Sequence, residues 1–177
     1  KIKMETLKTI SLRKSVRSYK PEQISDEILD IIINAGFKAP VASSKYDSLH
    51  ITVIQNTEII KKIIVAAEDM ALKTLNKKID WDFGAPTLIF VSSTPAMMPG
   101  IEFANAASVL ENMVLAATDQ GVDSIIWGGP TLIIKQDASL KKSLGIPDEF
   151  TPVLCASFGY ATDYEEPKEH TISVNRI

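Results

Sequence analysis

Residues 101 to 121 form the longest helical candidate in the chain, and they constrain the fold more than any other segment. The stretch reads "IEFANAASVLENMVLAATDQG", which is apolar or small on nearly every side of a helix. A helix of this kind has to be buried all round, by the core of its own chain or by a partner chain. With 177 residues the chain is long enough to bury a sizeable core, and we interpret residues 1–177 as a single domain.

Four short segments predict β-strands around this helix, because they are rich in β-branched or apolar residues and lack a helical period: "LHITVIQN", "TLIFVSS", "VDSIIW" and "TPVLCASFGY". Further helices are predicted over 4–14, beginning at Met4, from Ser25 towards Pro40, over 57–76 and in "DASLKKSLG". The final "TISVNRI" is predicted to be extended and is too short to form a sheet alone. Strands that alternate with helices indicate an α/β or α+β domain.

Composition and charge argue against several partners and compartments. The formal net charge of −3 is not the basic footprint of a nucleic-acid-binding protein. No apolar run approaches the roughly 18 to 20 residues that cross a bilayer, so no membrane partner is expected. The single cysteine, Cys155, excludes an internal disulfide framework and favours a cytoplasmic location. We expect Cys155 to be a buried, unreactive thiol.

The familiar catalytic motifs are missing from the sequence. The two histidines, His50 and His170, lie far apart without HExxH or CxxC spacing, so no metal site is predicted. His50 is expected to be structural and His170 exposed. There is no GxSxG elbow and no GxxxxGK[ST] or GxGxxG loop. Any chemistry is therefore expected to come from a bound organic cofactor rather than from a catalytic side chain.

The segment "RKSVRSYK", residues 13–20, concentrates four cations in eight positions, and no acid occurs from Thr6 to Pro21. Arg13 and Arg17 would share a face if the preceding helix continued, with the hydroxyl of Ser15 between them. Two arginines and a serine suit a phosphate monoester, which accepts bidentate charged donors and a neutral hydrogen bond. The alternative is a solvated basic surface, or cations that complement a helix C-terminus.

Four stretches, in order, resemble the nitroreductase-like flavoprotein family: "RKSVRSYKPEQIS", "EILDIIINAGFKAP", "ANAASVLENMVLAATDQGVDSIIWGGP" and "ISVNRI". In that family the opening motif binds the phosphate and ribityl chain of FMN. The resemblance therefore implies that the FMN-binding residues here include Arg13, Lys14, Ser15 and Arg17. It also implies one more phosphate-binding arginine near the C-terminus, which is Arg176.

Two further segments are implied to contact the flavin ring. One is the corner after "AP", comprising Val41, Ala42, Ser43 and Ser44. The family pattern continues S/T-x-x-N-x-Q, whereas this chain reads "APVASSKYDSLH", with Ser44 and Tyr46 near the Asn and Gln positions. Lys45 or Tyr46 is therefore a candidate for facing the ring or the substrate. The other segment is the turn comprising Ile126, Trp127, Gly128 and Gly129, whose alternative interpretation is an ordinary turn with Trp127 in the core.

Asn105, Ser108 and Asn112 form a narrow polar stripe on the central helix. The stripe would face the cofactor or a dimer axis in one interpretation. We favour the other, in which these side chains are hydrogen-bonded within the core.

The resemblance implies an α+β fold in which a central, mostly antiparallel sheet is flanked by helices. It also implies a homodimer with FMN at the interface and a C-terminal arm extended onto the partner subunit. NAD(P)H would reduce the flavin through N5, and a nitroaromatic or quinone-type acceptor would then reoxidise it in a ping-pong cycle. The alternatives are a non-catalytic FMN-binding or redox-sensing module, another flavin reaction on the same scaffold, or a different phosphorylated ligand. Residues 65–80 and 94–100 are the candidate lids.

Overall fold

The computed structural model describes residues 5–177, so the predicted helix start at Met4 lies outside the described residues. The elements follow in the order α1 (Thr6–Leu12), α2 (Asp26–Gly36), β1 (Leu49–Ile54), α3 (Thr57–Leu75), β2 (Thr87–Ser93), α4 (Ile101–Asp119), β3 (Asp123–Trp127), α5 (Gly129–Gln136), α6 (Ala138–Ser143) and β4 (Thr151–Gly159). Two single 3₁₀ turns at 42–44 and 46–48 precede β1. All four predicted strands are present.

The sheet has the strand order β1-β2-β4-β3, and every neighbouring pair is antiparallel. The central strand β2 is buried along its whole length. Such a strand has no exposed side that would need polar residues, which is why Leu88 to Val91 form a continuous apolar run. The predicted α+β fold with an antiparallel sheet flanked by helices is confirmed.

Helices α2 and α4 cover one face of the sheet. Ile89, Val91 and Phe158 from the strands pack with Leu110 and Met113 of α4 in one apolar core. Gly36, the last residue of α2, lies directly against Met113, and a Cβ at this position would collide with the methionine side chain. The missing side chain therefore allows α2 and α4 to pack closely together.

The central helix α4 is buried on most of its surface, but not on all of it. Phe103 is 48% exposed, and Ala104, Ala107 and Glu111 are also exposed. Ala107 lies three or four positions from Phe103, Ala104 and Glu111, so these residues fall on one helical stripe. The rest of α4 is buried or partly buried, so the prediction of burial all round is met only in part within this chain.

Helices α3 and α5 cover the opposite face. Ile63 of α3, Phe90 of β2 and Ile134 of α5 have no exposed surface and belong to a second apolar core. Cys155 lies in this core, where its thiol donates to the carbonyl of Trp127 at 3.2 Å. Burial raises the pKa of the Cys155 thiol well above its ordinary value, so the prediction of a buried cysteine is confirmed.

Helix α5 was not predicted from the sequence. Its residues "GPTLIIKQ" include a threonine and two isoleucines, which have low helix propensity. Pro130 near its start is compatible with a first helical turn, and burial of Ile134 against α3 stabilises the rest. The carboxylate of Asp137 then caps α6 by accepting from the amides of Ser139 and Leu140 at 2.9 Å each.

Candidate functional site

The cation segment, residues 13–20, does not continue helix α1. The helix ends at Leu12, and Arg13 has an extended backbone with φ −59° and ψ 129°. Ser15 forms a parallel bridge with Ser124 of β3, and the Val16 amide donates to the Ser124 carbonyl at 3.0 Å. The hypothesis that Arg13 and Arg17 share a helix face is therefore wrong. Alternation along the extended chain brings them to one side instead.

The inner side of the cation segment anchors it to the fold. Val16 packs in a small apolar cluster with Tyr19 and Ile125. The Tyr19 amide donates to the Phe83 carbonyl at 2.9 Å, and the Lys20 amide donates to the Tyr160 carbonyl at 2.8 Å. Contacts at both ends therefore hold the arginines beside β3.

A cleft of about 320 Å³ lies over the outer side of this segment. It is lined by Arg13, Lys14, Ser15, Arg17, Glu165, Glu166, Lys168 and His170. Three of the predicted phosphate-binding residues, Arg13, Ser15 and Arg17, line this cleft and have donors to spare. Within residues 5–177, the half-buried Arg13 side chain and the Ser15 hydroxyl have no hydrogen-bond or ion-pair partner. Arg17 makes one long bond, of 3.4 Å, to the Ser15 carbonyl.

Lys14 differs from its neighbours because its charge is already engaged. Its Nζ lies 3.8 Å from Oδ1 of Asp123, at the start of β3. The same ammonium group lies 4.3 Å above the ring centre of Tyr164. Lys14 therefore lines the cleft and also contacts both β3 and the segment after β4. Its role in FMN binding stays a prediction.

The second wall of the cleft is the segment after β4. The Thr162 amide donates to the Ser18 carbonyl at 3.1 Å, and the Thr162 hydroxyl donates to the Ser18 hydroxyl at 2.9 Å. These bonds hold residues 165–170 opposite the arginines. Glu166 accepts a hydrogen bond of 3.0 Å from the Tyr164 hydroxyl, which occupies part of its carboxylate.

Sequence reasoning missed Lys168 and His170 as residues of this cleft. His170 was predicted to be exposed, and it is, but the cleft wall it forms was not foreseen. Both residues lie in "EEPKEH", where cations alternate with acids and resemble a solvated surface. No pattern in the sequence indicates that the segment after β4 returns to the cation segment. The predicted phosphate ligand Arg176 is exposed on the terminal segment, and its role stays a prediction.

The corner at residues 41–44 is built on α4. The Ala42 amide donates to Oδ1 of the buried Asn105 at 3.0 Å. Ser43 and Ser44 both have a left-handed backbone, with φ of 56° and 53°. Because such backbone is uncommon without glycine, a fixed external bond is needed to hold it. Val41 is buried beneath the corner.

The polar stripe of α4 serves mainly to position neighbouring backbone. Besides the bond from Asn105, Asn112 donates to the Ala35 carbonyl at 3.2 Å, at the end of α2. Ser108 bonds only to the Ala104 carbonyl of its own helix, at 2.9 Å. The prediction of hydrogen bonding within the core is therefore confirmed for the two asparagines.

Replacing Asn105 by alanine is expected to lower the free energy of unfolding by about 1 to 3 kcal/mol, because the partly buried Ala42 amide loses its acceptor. Urea denaturation of the purified protein would measure this loss. Ser108→Ala is the matched control on the same helix, and its effect should stay within about 0.5 kcal/mol. Equal losses in the two variants would show that the Asn105 bond does not hold the corner.

The two substrate-side candidates lie just after the corner. The Tyr46 ring is 49% exposed, but its hydroxyl donates to the Ala39 carbonyl at 3.1 Å and so braces the loop. Lys45 is exposed. Tyr46 also lines a mostly apolar groove of about 500 Å³, together with Phe37, His50 and Val109. His50 lies on β1 beside the Phe150 ring, at 5.3 Å between ring centres, which fits its predicted structural role.

The turn segment, residues 126–129, comprises the last two residues of β3, Gly128 and the first residue of α5. Strand β3 also pairs with the cation segment. The Trp127 side chain points into the protein: its Nε1 donates to the Ser157 hydroxyl at 3.0 Å, and its ring lies near those of Trp81 and Phe83. Gly129 leaves room for the Trp81 ring, because a Cβ there would approach its atoms to 3.0 Å. The side chain of Trp127 is thus used for packing, which leaves the backbone of the turn to contact a ligand.

The two candidate lids have different structures. Residues 65–75 belong to helix α3, and the chain then continues without a regular element to Pro86. Residues 95–100 are exposed, including Met97 at 98%.

None of the helices within residues 5–177 has the length and apolar content that a membrane crossing requires.

These observations define a class: an α+β protein with a cleft suited to a phosphorylated ligand beside one edge of its sheet. Comparison with known proteins specifies the class further. The sequence model of the nitroreductase family matches residues 10–160. The chain therefore belongs to the nitroreductase family, as the opening motif predicted, and the predicted enzyme class of oxidoreductase is confirmed.

Individual relatives agree with this assignment. An Archaeoglobus fulgidus protein, provisionally named an NADH dehydrogenase/NAD(P)H nitroreductase, is 28% identical over 92% of this chain and 88% of its own length. A nitroreductase with bound FMN from Bacteroides fragilis superposes with a TM-score of 0.84 and 28% identity, covering 98% of this chain and 97% of that chain. One with bound FMN from Desulfitobacterium hafniense has a TM-score of 0.86 at 24% identity, covering 99% of this chain and all of that chain, which shows the shared fold.

Proposed function

We propose that the protein is a homodimeric, FMN-dependent NAD(P)H oxidoreductase that reduces a nitroaromatic or quinone-type acceptor in a ping-pong cycle. The observation that carries this proposal is the cleft at residues 13–17, where Arg13 and Ser15 have donors without partners within the described residues. A half-buried guanidinium without a counterion provides a favourable site for an anion.

The residues present fit the phosphate of FMN. Arg13, Ser15 and Arg17 all line the cleft, and their donors suit a phosphate group. Lys168 adds a cation from the opposite wall, and within residues 5–177 it has no ion-pair partner. The acids Glu165 and Glu166 line the same cleft but are fewer than its four permanent cations, so the cleft favours an anionic ligand.

The backbone near the end of β3 fits the ring end of the same cofactor. Gly128 and Gly129 carry no side chains that would obstruct a flat ligand, and they follow the strand that pairs with Ser15. Amide groups of this turn can donate to ring acceptors and favour negative charge on a reduced ring. Ile126, Trp127, Gly128 and Gly129 are the predicted contacts.

The homodimer is proposed because one chain has surfaces that it does not use itself. None of the corner residues 41–44 lines the cleft that holds the arginines. One stripe of α4 is exposed, and Ile172 and Val174 in the C-terminal segment are 88% and 77% exposed. A second copy would bury these surfaces and bring its corner, Val41 to Ser44, to the cofactor bound by the first.

The roles of the protein in catalysis follow from this arrangement. FMN, when bound, supplies the hydride chemistry between NAD(P)H and the acceptor. The arginines hold the phosphate, the glycine turn orients the ring edge, and the buried Asn105 fixes the corner through the Ala42 amide. No side chain is required as a nucleophile, which agrees with the absence of a catalytic motif in the sequence.

A visible absorption spectrum of the purified protein, recorded anaerobically before and after addition of NADH or NADPH, tests the proposal. Flavin bands are expected to bleach on addition and to return with a nitroaromatic or a quinone. Bands that never bleach would indicate a binding or sensing module. A colourless protein that takes up no added FMN would show that the cleft binds a different phosphorylated ligand.

A further inference from the structure

His170 is one of the residues that line the cleft of about 320 Å³ beside the cation segment, which we call the phosphate cleft. It lines the cleft together with Lys168, opposite Arg13 and Arg17. Within the described part of the chain, neither His170 nor Lys168 has a hydrogen-bond or ion-pair partner. The imidazole and the ammonium group are thus free to donate to a ligand held by the arginines.

The segment that carries His170 is held against the cation segment. Thr162 is bonded to Ser18 through both its amide and its hydroxyl. Tyr164 lies beneath the ammonium group of Lys14. Residues 162 and 164 are thus attached to the cation segment, and His170 lines the cleft further along the same segment.

The charged groups facing His170 come from both walls. Arg13, Lys14 and Arg17 lie on the cation segment, while Glu165, Glu166 and Lys168 lie on its own segment. Histidine is the side chain type whose charge ordinarily changes between pH 5 and 8. His170 is the one histidine among the residues that line this cleft.

We propose that His170 is a ligand of the cofactor phosphate and makes retention of FMN depend on pH. The inference rests on the proposed function and deepens it. A phosphate beside the imidazole favours the protonated ring, so FMN is bound most tightly below the pH at which His170 loses its proton. As the pH rises through that point the charged hydrogen bond is lost, and the affinity falls.

The test compares FMN release from diluted holoprotein, followed by flavin fluorescence, for the native chain, His170→Gln and His170→Arg between about pH 5.5 and about pH 8.5. We expect His170→Gln to release FMN about tenfold more readily than the native chain at the acidic end and nearly equally at the basic end, because a charged hydrogen bond to phosphate is lost. The arginine variant should retain FMN tightly throughout.

Two controls separate His170 from other titrations. Free FMN titrates near pH 6 in the same way in every experiment, so the ratio between variants cancels the titration of the free cofactor. His50→Gln replaces the only other histidine, on β1, and should follow the native curve. Riboflavin lacks the phosphate, and its retention should be the same in the native chain and His170→Gln.

The outcomes distinguish this inference from the proposed function. If FMN is retained but the ratio between the native chain and His170→Gln stays near one at every pH, His170 is not a ligand while the function stands. If riboflavin shows the same pH-dependent ratio as FMN, His170 does not act on the phosphate. If no variant retains FMN at any pH, both the inference and the proposed function are wrong.

Discussion

The double variant Arg13→Ala with Arg17→Ala is expected to lose most of its FMN. Both side chains line the cleft beside β3, and the Arg13 side chain has no hydrogen-bond or ion-pair partner within residues 5–177. Each charged hydrogen bond contributes about 1.5 to 3 kcal/mol, so removing both arginines should weaken binding by about 100-fold or more. The flavin-to-protein ratio after purification, and FMN release on dilution, would measure the loss.

A matched control removes two cations elsewhere. Lys61 and Lys62 are exposed on α3 and do not line the phosphate cleft, so Lys61→Ala with Lys62→Ala changes the net charge equally. This variant should keep its full flavin content. A double arginine variant that still purifies with full flavin would show that the cation segment does not bind the cofactor phosphate. Similar losses in both double variants would indicate a general effect of net charge.

The cation segment has a local structure that differs from the one its spacing predicts. The spacing of Arg13 and Arg17 was interpreted through a helix, yet the residues are extended. Long-range contacts cause this conformation. Ser15 pairs with Ser124, more than 100 positions away, and the Tyr19 amide donates to the Phe83 carbonyl. No local pattern records such partners. The residue types favour phosphate in either geometry because of their donors, and phosphate binding by this segment stays a prediction.

Other parts of the fold were predictable because their signals are local. The strands were found from apolar runs, and α2 from Ser25, whose side chain does accept from the Ile28 amide. Helix α5 was missed because burial of Ile134, rather than propensity, stabilises it. The positions of Lys168 and His170 were missed because the segment after β4 has no periodicity, and its path is set by bonds between Thr162 and Ser18.

Phe158→Ala is expected to be the most destabilising single change among those considered. Phe158 has no exposed surface and lies in the middle of the sheet, opposite Thr87 of β2 and Ser124 of β3. Truncation of a buried phenylalanine to alanine leaves a cavity and typically costs about 3 to 5 kcal/mol. Because the cation segment is attached to Ser124, weakening this part of the sheet should also lower FMN retention. Urea denaturation at a fixed FMN concentration would measure the change in stability.

Two further variants separate cavity formation from a general effect of substitution. Phe158→Leu fills part of the space and should lose less than half as much stability as Phe158→Ala, since buried methylene groups contribute about 0.8 kcal/mol each. Leu75→Ala removes a side chain that is 64% exposed at the end of α3, and its effect should stay within about 0.5 kcal/mol. A loss below about 1 kcal/mol for Phe158→Ala would contradict the close packing between β4 and α4. That outcome would also remove the physical basis for a rigid phosphate cleft, because the cleft is attached to the sheet through Ser124.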